Sequence, residues 1–458
     1  MTARPQPPAE TIAAIATPPG RGGVGIVRVS GARVDEIATA VIARPLAART
    51  ATFAVFRGAR GEPLDEGLAL LFPAPASYTG ETVLELQGHG SPAALRLVLA
   101  RCLESGARLA APGEFTRRAF LNGKLDLAQA ESVADLIDAA TSAAARAAAR
   151  SLAGEFSREV GALVDAVTEL RMLTEATLDF PEEDIEFMRE ADAAGRLERL
   201  SGRLAGILAR ASTGARLNEG LTVVLAGRPN VGKSSLLNRL VREEAAIVTP
   251  IPGTTRDTVE RQVEVGGIPV TVVDTAGLRS TDDAVEKIGI ERAWAAIDRA
   301  DLALVLVDAR DTENVLDPED AAILARLPAR LPRVIVHNKA DLAGVVARKE
   351  AIDGQAHVWL SALTGAGMVL LEQEMLAVAG VASAGEDTFI ARARHVEALR
   401  EAATHLAAAA AHIGAAVPPL ELFAEELREA QDALSSITGE FTADDLLGVI
   451  FSRFCIGK

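Results

Sequence analysis

The sequence predicts a multidomain protein that combines α/β domains with an all-α domain. Three observations carry this prediction: a glycine loop between a strand-like and a helix-like run near residue 227, leucine-striped blocks on both sides of it, and an N-terminal segment punctuated by Gly and Pro. A length of 458 residues allows about three domains. We predict an α/β domain at 1–122, a helical domain from 123–216 and 381–458, and an inserted nucleotide domain at 217–380.

The N-terminal segment predicts a compact α/β domain. Between residues 11 and 121, short β-like runs at 25–29 and 83–87 alternate with Gly and Pro, and one helical stretch follows Ser91.

The helical domain is predicted from two apolar stripes. Gly and Pro thin out after residue 124, and one stripe recurs at helical spacing through Leu197, Leu200, Leu204, Ile207 and Leu208. The second stripe, in a block that begins near Thr388, contains Leu420, Phe423, Leu427, Leu434 and Ile437. Each stripe needs a partner that buries it, and the simplest partner is the other block. The nucleotide domain would then be an insertion into one helical domain.

Charge and cysteine content limit the function classes. The chain has 47 basic and 63 acidic side chains and a formal net charge of -16, which repels a polyanion on average. Contact with nucleic acid would therefore use a local patch or a partner protein. Two cysteines, Cys102 and Cys455, are too few for a disulfide framework or a four-ligand zinc site.

Apolar runs such as 302–307 are shorter than the roughly 18 to 20 residues that a bilayer span needs. The start of the chain also lacks the basic flank and long apolar region of a signal peptide. We therefore expect no membrane contact and a cytoplasmic location.

A phosphate-binding loop is predicted at residues 227–234 (GRPNVGKS), between the strand pattern of 221–226 and the helix-like residues 235–240. In such a loop backbone N–H groups wrap the phosphates, Lys233 supplies charge to the β and γ phosphates, and Ser234 can ligate Mg²⁺. The residues expected to contact the nucleotide here are Asn230, Val231, Gly232, Lys233, Ser234 and Ser235.

Residues 274–277 (DTAG) follow the strand pattern of 270–273. Asp274 would place a carboxylate near the metal, and Gly277 would place backbone near the γ-phosphate. With Thr275 and Ala276 between them, this segment would make the site sensitive to the nucleotide state.

Residues 338–341 (NKAD) follow the buried strand pattern of 334–336 and predict recognition of guanine. Asp341 can accept hydrogen bonds from N1 and N2 of guanine, and adenine lacks that edge, so GTP is favoured over ATP. Asn338 and Lys339 belong to the same contact set. The residues expected to close over the base are Ser361, Ala362 and Leu363.

Residues 249–257 (TPIPGTTRD) are rich in turn residues and hydroxyls, and are predicted to be the switch segment that covers the γ-phosphate. Thr255 is the candidate second Mg²⁺ ligand. Leu278 follows the DTAG segment and cannot orient water as the glutamine of Ras-like enzymes does, so hydrolysis needs another residue. Together the segments 227–234, 274–277, 338–341 and 361–363 predict a Ras-like P-loop domain that binds and hydrolyses GTP.

The loop and the switch segment are similar to those of potassium-dependent GTPases. That similarity implies a K⁺ ion held by Asn230 and by the backbone of the switch segment, where an arginine finger otherwise lies. The switch residues implied as contacts are Thr249, Ile251 and Thr254. In the alternative interpretation Asn230 only tolerates a left-handed conformation, and the two threonines cap a turn.

Several further segments lie near the ends of the chain: 16–28 (ATPPGRGGVGIVR), 78–81 (YTGE), 85–90 (ELQGHG), 112–116 (PGEFT), 120–124 (FLNGK) and 454–458 (FCIGK). Alone they indicate tight turns, and the ending only imitates a prenylation box. Together with the nucleotide domain they resemble, from end to end, the MnmE (TrmE) family of bacterial tRNA modification GTPases, within the TrmE-Era-EngA-EngB-Septin-like group.

The resemblance implies a homodimer formed through folate-binding-like N-terminal domains, with 5-formyl- or 5,10-methylene-tetrahydrofolate as the one-carbon cofactor. It also implies an FAD-containing partner, MnmG, in a heterotetramer or larger complex. The substrate would be tRNA, which receives a 5-aminomethyl or carboxymethylaminomethyl group on wobble uridine 34.

The resemblance also assigns residue roles. Glu286 is implied as the carboxylate that orients the attacking water through a bridging water, and Cys455 as a nucleophile or acid/base thiol. The positions implied to bind folate are Arg28, Glu85, Lys124 and Lys458. Without the resemblance, Glu286 is one more exposed acid on a helix, and Cys455 an ordinary buried thiol.

Two alternatives from other classes remain open. In the first the chain is a regulatory switch, such as a ribosome-assembly GTPase, whose outer domains only bind partners. In the second it is a folate-dependent aminomethyl or formyl transferase that acts alone and uses GTP as a sensor.

Overall fold

The computed structural model describes residues 10–179, 192–243, 260–274, 297–311, 318–378, 380, 388–415, 417–439, 450–451, 454 and 457. Within these ranges no helix is both long enough and apolar enough to cross a membrane. The chain forms two compact units, 1–134 with 434–458 and 135–433. The three-domain boundaries set out above stay a prediction.

The first unit contains a six-stranded sheet. Its strands are β1 (Ile12–Ile15), β2 (Gly22–Ser30), β3 (Thr52–Arg57), β4 (Pro63–Phe72), β5 (Val83–Gly90) and β6 (Arg108–Leu109). They lie in the order β3-β4-β5-β2-β1-β6, and neighbours are antiparallel except for β1 and β6. Val27 and Val29 are fully buried on one face of β2, so the intervening Arg28 lies on the other face.

Three helices accompany this sheet: α1 (Val34–Ile42), α2 (Pro92–Glu104) and α3 (Glu114–Leu121). The predicted helix after Ser91 forms as α2. The expectation that it is the single helix of this segment is wrong, because α1 and α3 also form. Val34, Ile37 and Val41 are fully buried along one face of α1. A nine-residue run rich in β-branched residues is ambiguous between helix and strand from periodicity alone.

Four helices follow along the chain: α4 (Leu127–Asp138), α5 (Ser142–Leu152), α6 (Glu155–Asp179) and α7 (Ala193–Glu219). The 27-residue α7 buries Leu197, Leu200, Leu204 and Ile207, which confirms the predicted stripe except for Leu208, which is only partly buried. Its C-terminal cap, Gly220, leads directly into the first strand of the nucleotide sheet.

The nucleotide sheet has seven strands: β7 (Leu221–Ala226), β8 (Glu260–Val265), β9 (Ile268–Asp274), β10 (Leu302–Asp308), β11 (Arg333–Asn338), β12 (Arg348–Ile352) and β13 (Gln355–Trp359). They lie in the order β12-β13-β11-β10-β7-β9-β8, with β12 and β8 as antiparallel edges of a parallel centre. All seven residues of β10 are buried, as expected for a strand covered on both faces.

Among the described residues, the helices that accompany this sheet are α8 (Lys233–Glu243), α9 (Pro318–Arg326), α10 (Ala340–Ala343) and α11 (Met368–Val378). The loops after β7, β11 and β13 all leave the carboxyl edge of the parallel strands, where α/β sheets bind their ligands. The phosphate loop, the NKAD segment and residues 361–363 therefore gather at one edge.

Two long helices complete the second block: α12 (Ala393–Ile413) and α13 (Leu420–Thr438). α7 packs against both α6 and α12. The buried Asp135 of α4 accepts a 2.8 Å hydrogen bond from Arg392, which precedes α12. Helices that precede the nucleotide sheet in the sequence thus pack against helices that follow it. The fold class is multidomain α/β plus all-α.

Candidate functional site

The turn between β7 and α8 has the backbone of a phosphate loop. Gly227 has φ of +139°, and a Cβ there would lie 2.3 Å from the carbonyl oxygen of Leu306. Gly232 has φ of +102°, and a Cβ there would lie 2.2 Å from the side-chain nitrogen of Asn338. Both positions therefore require glycine. The resulting turn leaves backbone N–H groups available to anionic oxygens at the N-terminus of α8.

Lys233 is the first residue of α8 and folds back over this loop. Its ammonium group donates to the carbonyl oxygens of Gly227 at 2.7 Å and Arg228 at 2.9 Å. The positive charge of Lys233 is therefore positioned at the loop. Ser234 and Ser235 are exposed on the first turn of α8, so their hydroxyls are available to a metal ion or a phosphate.

Two carboxylates outside the loop anchor it. The guanidinium of Arg228 donates to the buried Asp320 of α9 at 3.1 Å and to Asp311, after β10, at 3.0 Å. Asp320 is only 1% exposed, so the loss of Arg228 would remove an ion-pair partner from a buried carboxylate. The ion pairs hold the loop against the sheet edge.

Asn338, at the end of β11, connects the phosphate loop with the loop after β13. Its side-chain nitrogen donates to the carbonyl oxygen of Val231 at 2.8 Å, and its side-chain oxygen accepts from the N–H of Ala362 at 3.0 Å. Asn338 is 2% exposed, and the nitrogen and the oxygen of its side-chain amide each have a hydrogen-bond partner inside the protein.

Lys339 and Asp341 turn toward solvent beside this junction. Lys339 has φ of +66°, and its ammonium lies 2.7 Å from Asp308 at the end of β10. Hydrogen bonds from Arg310 and Lys339 lower the pKa of Asp308, which keeps it ionised as their partner. Asp341 is exposed on α10, so its carboxylate is available to a purine edge.

Residues 361–363 are tied to both neighbouring segments. The hydroxyl of Ser361 accepts from the N–H of Thr364 at 3.2 Å, and Arg239 of α8 donates to the carbonyl oxygen of Ala362 at 3.0 Å. Leu363 is 76% exposed. The three predicted segments at this edge, the loop, NKAD and 361–363, are therefore brought together by direct hydrogen bonds.

Asp274 is the last residue of β9 and pairs in register with Leu225 of β7, so its backbone lies at the same edge. The other nucleotide and metal residues predicted from the sequence lie outside the described residues: Thr249, Ile251, Thr254, Thr255, Thr275, Ala276, Gly277 and Glu286.

A second candidate site lies on the sheet of the first unit, where Arg28 and Glu85 are paired across β2 and β5. Arg28 donates to Glu85 at 3.0 Å, and the two side chains are 22% and 16% exposed. The guanidinium lies 5.5 Å from the centre of the Tyr78 ring and 5.7 Å from that of Phe115. A half-buried pair of opposite charges between two rings can bind a flat, polar, partly anionic molecule.

A partly buried network of charged side chains lies beside this site. Arg118 of α3 contacts Glu81 at 2.9 Å and Glu114 at 2.8 Å, and Arg108 lies 2.6 Å from Glu114. Burial alone would raise the pKa of Glu114, but hydrogen bonds from Arg108, the Ala111 N–H and Arg118 lower it to about 2. The network holds the start of α3, and with it Phe115, against the sheet.

Lys124 is exposed, and its stem lies beside the turn at Gly80, where a Cβ would come within 3.3 Å of the Lys124 Cγ. The nearby Asn122 donates to the carbonyl oxygen of Thr79 at 2.7 Å. The structure thus places Lys124 beside the 78–81 segment, with no hydrogen bond from its amine to the described residues.

The end of the chain belongs to the same unit as this pocket. Phe454 is buried in a cluster with Leu127 and Phe451. A Cβ at Gly457 would lie 2.2 Å from the carbonyl oxygen of Ile15, whose partner across the sheet is Val27, next to Arg28. The predicted site residues Cys455 and Lys458 lie outside the described residues.

Cys102 is expected to resist alkylation in the folded protein. It is fully buried in α2, and burial raises its pKa to about 12. At about pH 8 such a thiol is ionised in only about one molecule in 10,000, and the thiolate is the reactive form. Peptide mapping after brief iodoacetamide treatment should find Cys102 unmodified in native protein and modified in guanidinium. Rapid native labelling of Cys102 would contradict this burial.

Sequence reasoning missed the residues that support both sites. In the nucleotide domain these are Arg228, Arg239 and Asp308, and in the first unit they are Glu81, Arg108, Glu114 and Arg118. Two signals were present: Asp308 ends an apolar strand at the ligand edge, and Glu114 and Arg118 are four residues apart on one helix.

Comparison with protein families gives two matches. The model described as "MnmE helical domain" matches residues 127–455, and the model described as "GTP-binding protein TrmE N-terminus" matches residues 11–124. The first covers more than half of the chain.

Curated relatives match over nearly the whole length. The tRNA modification GTPase MnmE of Dechloromonas aromatica (strain RCB) is 60% identical over 98% of this chain and 99% of its own. The protein of the same name from Thiobacillus denitrificans (strain ATCC 25259 / T1) is 56% identical over 100% of both chains. Among solved structures, the G domain of the T. maritima FeoB iron transporter is 26% identical, covering 35% of this chain and 98% of its own, with a TM-score of 0.26.

Proposed function

This chain belongs to the MnmE family of tRNA modification GTPases, and from that premise we propose that it acts with the flavoprotein MnmG on wobble uridine 34 of certain tRNAs. The product carries a 5-aminomethyl or carboxymethylaminomethyl group. The observation that carries the proposal is the presence, on one chain, of a phosphate loop joined by hydrogen bonds to the loops after β11 and β13, and of the separate Arg28–Glu85 site. A plain regulatory switch would need only the first.

The chain is a GTPase, and its described residues account for nucleotide binding. Lys233 and the loop N–H groups bind the phosphates, and Asp341 accepts from guanine N1 and N2. Asn338 holds the two loops together, so the phosphate and base positions are fixed relative to each other. GTP binding would then order the switch segments, as in other P-loop GTPases.

We further propose that Ser234 and Thr255 would hold Mg²⁺ and that Asn230 would hold K⁺. The potassium ion would offset the negative charge that develops on the transferred phosphoryl group during hydrolysis. The exposed side chain of Asn230, which makes no hydrogen bond to any described residue, supports this role because its oxygen is available to a cation. The other K⁺ contacts in the proposal are the switch residues Thr249, Ile251 and Thr254. Glu286 would orient the attacking water through a bridging water.

The Arg28–Glu85 pocket suits a reduced folate. Glu85 can accept hydrogen bonds from pterin N–H groups, and the guanidinium of Arg28 can donate to a formyl oxygen or a carboxylate of the glutamate tail. Lys124 and Lys458 would bind the same ligand, which supplies a one-carbon unit when bound. We propose that Cys455 acts on the same ligand; Gly457, two residues further on, lies beside Ile15, which pairs with Val27.

The assembly we propose is a homodimer formed through the N-terminal domains and joined to MnmG. The domain boundaries proposed are 1–122, 123–216 with 381–458, and 217–380. A net charge of -16 gives the chain little average attraction for tRNA, so the partner would supply much of that binding.

A reconstitution tests the proposal. The chain, MnmG with FAD, folate, an amino donor, GTP and unmodified tRNA are incubated, and nucleosides are separated by mass spectrometry, with each component omitted in turn. We expect the modified uridine only when the chain, MnmG and GTP are all present. Modification without MnmG would favour a transferase that acts alone, and modification without this chain would favour a switch.

A further inference from the structure

The β8–β9 hairpin is the covalent connection between the two predicted switch segments. β8 begins at Glu260, soon after the segment 249–257, and β9 ends at Asp274, the first residue of DTAG. The strands pair in antiparallel register from Glu260–Val273 to Val265–Ile268. A displacement of either switch therefore acts on this hairpin, whose turn at Gly266 and Gly267 lies at the opposite end.

Thr141, just before α5, contacts that turn. Its hydroxyl donates to the carbonyl oxygen of Gly267 at 2.8 Å, and the hydroxyl oxygen of Thr141 accepts from the N–H of Ala144 at 3.0 Å. Thr141 is 6% exposed, so its bond to Ala144 is buried, while the bond to the partly exposed Gly267 is half-buried. One side chain thus caps a helix and binds the hairpin turn.

Apolar packing makes the contact stiff. Ala144, Ala147 and Ala148 of α5 are buried in the same core as Val265 and Ile268, which flank the hairpin turn. Small side chains allow the helix to approach the sheet closely, and a close-packed core transmits displacement.

The C-terminal half of α5 is joined to the segment that leads into the helical region, and Ile390 of that segment is buried in the same core. The hydroxyl of Ser151 donates to the carbonyl oxygen of Ile390 at 2.9 Å, and the N–H of Ile390 donates to Ala147 at 3.3 Å. Residues 388–392 then lead into α12, which packs on α7. Helix α5 therefore contacts the hairpin, the segment that leads into α12, and the long helices α6 and α7.

We propose that the Thr141–Gly267 hydrogen bond is the positioning contact through which the nucleotide state of the switches is passed to α5 and the helical region. This inference rests on the proposed function, in which GTP hydrolysis drives a change at a separate modification site. Thr141 touches neither substrate nor cofactor, so its loss separates GTP hydrolysis from modification and leaves hydrolysis itself intact.

Three substitutions at this position separate the two roles of the hydroxyl. Thr141→Ser keeps both the helix cap and the donation to Gly267. Thr141→Asp keeps the cap, because a carboxylate accepts from Ala144, but it cannot donate to a carbonyl oxygen. Thr141→Val keeps the shape and loses both hydrogen bonds.

We expect GTP turnover to stay within about twofold of wild type in all three variants, whereas tRNA modification falls about 5- to 100-fold in the Asp and Val variants and is retained in the Ser variant. Wild-type modification in the Asp variant would overturn the proposal. A parallel fall of turnover and modification would also overturn it, because it would indicate general damage.

A second readout does not depend on modification. Hydrogen exchange of the α5 amides is compared between GDP and a non-hydrolysable GTP analogue. The proposal requires a nucleotide-dependent difference in wild type and in Thr141→Ser that disappears in Thr141→Asp. A difference of equal size in all three proteins would overturn the inference, whatever the result of the tRNA reaction. Failure of the tRNA reaction in the wild-type protein would count against the proposed function alone.

Discussion

Replacing Lys233 by alanine is expected to lower GTP turnover by about 100-fold or more. The ammonium of Lys233 is already held over the phosphate loop by the carbonyl oxygens of Gly227 and Arg228. A preorganised charge of this kind stabilises the charge that develops on the transferred phosphoryl group, and removal of one such donor commonly costs about 10²- to 10³-fold. Initial rates of phosphate release at saturating GTP measure the effect.

A matched control is Arg348→Ala, which removes a positive charge from β12, the edge strand of the same sheet. Its turnover should remain close to that of wild type. Thermal melts of both variants confirm that the fold is intact. A folded Lys233→Ala protein with turnover within a few-fold of wild type would contradict the assignment of this loop as the phosphate site.

Replacing Asp341 by asparagine is expected to change the base preference from guanine to xanthine. In the proposed site the exposed carboxylate of Asp341 would accept from both N1 and N2 of guanine, and hydrogen bonds to a charged group contribute about 1.5 to 3 kcal/mol each. The amide can still accept from N1–H of xanthine and can donate to its O2. GTP affinity should therefore fall about 100-fold or more, while XTP affinity rises.

Competition of GTP and XTP against a fluorescent guanine nucleotide measures both changes. Asp353→Asn, in the turn between β12 and β13, carries the same chemical change at a position where φ is +51°, which asparagine tolerates. It should leave both affinities unchanged. Unaltered discrimination between the two bases by the Asp341 variant would refute the role of NKAD in base recognition.

The nucleotide edge was predictable because its determinants are local. A glycine loop after a buried strand needs left-handed backbone at set positions, and Gly227, Asn230 and Gly232 have positive φ in the structure. The strands before DTAG and NKAD were also evident from continuous apolar runs.

The contacts that hold these segments together could not be predicted from the sequence, because they join residues that are far apart in the chain. Arg228 pairs with Asp320 across 92 positions, and Asn338 donates to Val231 across 107. No spacing rule links such pairs. The helix α1 was missed for a different reason, since its β-branched residues are equally consistent with a strand until tertiary packing decides.

In the N-terminal site, too, some residues were predicted from the sequence and others were identified only by the structure. Arg28 and Glu85 were named from family resemblance, and the structure places them opposite each other on β2 and β5 at 3.0 Å. Their ring neighbours Tyr78 and Phe115 come from two other segments of the chain. The roles of Cys455 and Lys458 stay predictions, since both lie outside the described residues.

GTP turnover in potassium against sodium buffer tests the central mechanism most directly. Wild type is compared with Glu286→Ala, Asn230→Ala and Asn230→Gly, the last of which removes the side-chain oxygen without strain at a φ of +64°. The account predicts stimulation by potassium of at least about 10-fold in wild type, because the cation replaces an arginine finger, and its loss in every variant. Equal wild-type rates in the two salts would contradict cation-assisted hydrolysis and bring the simple-switch alternative forward.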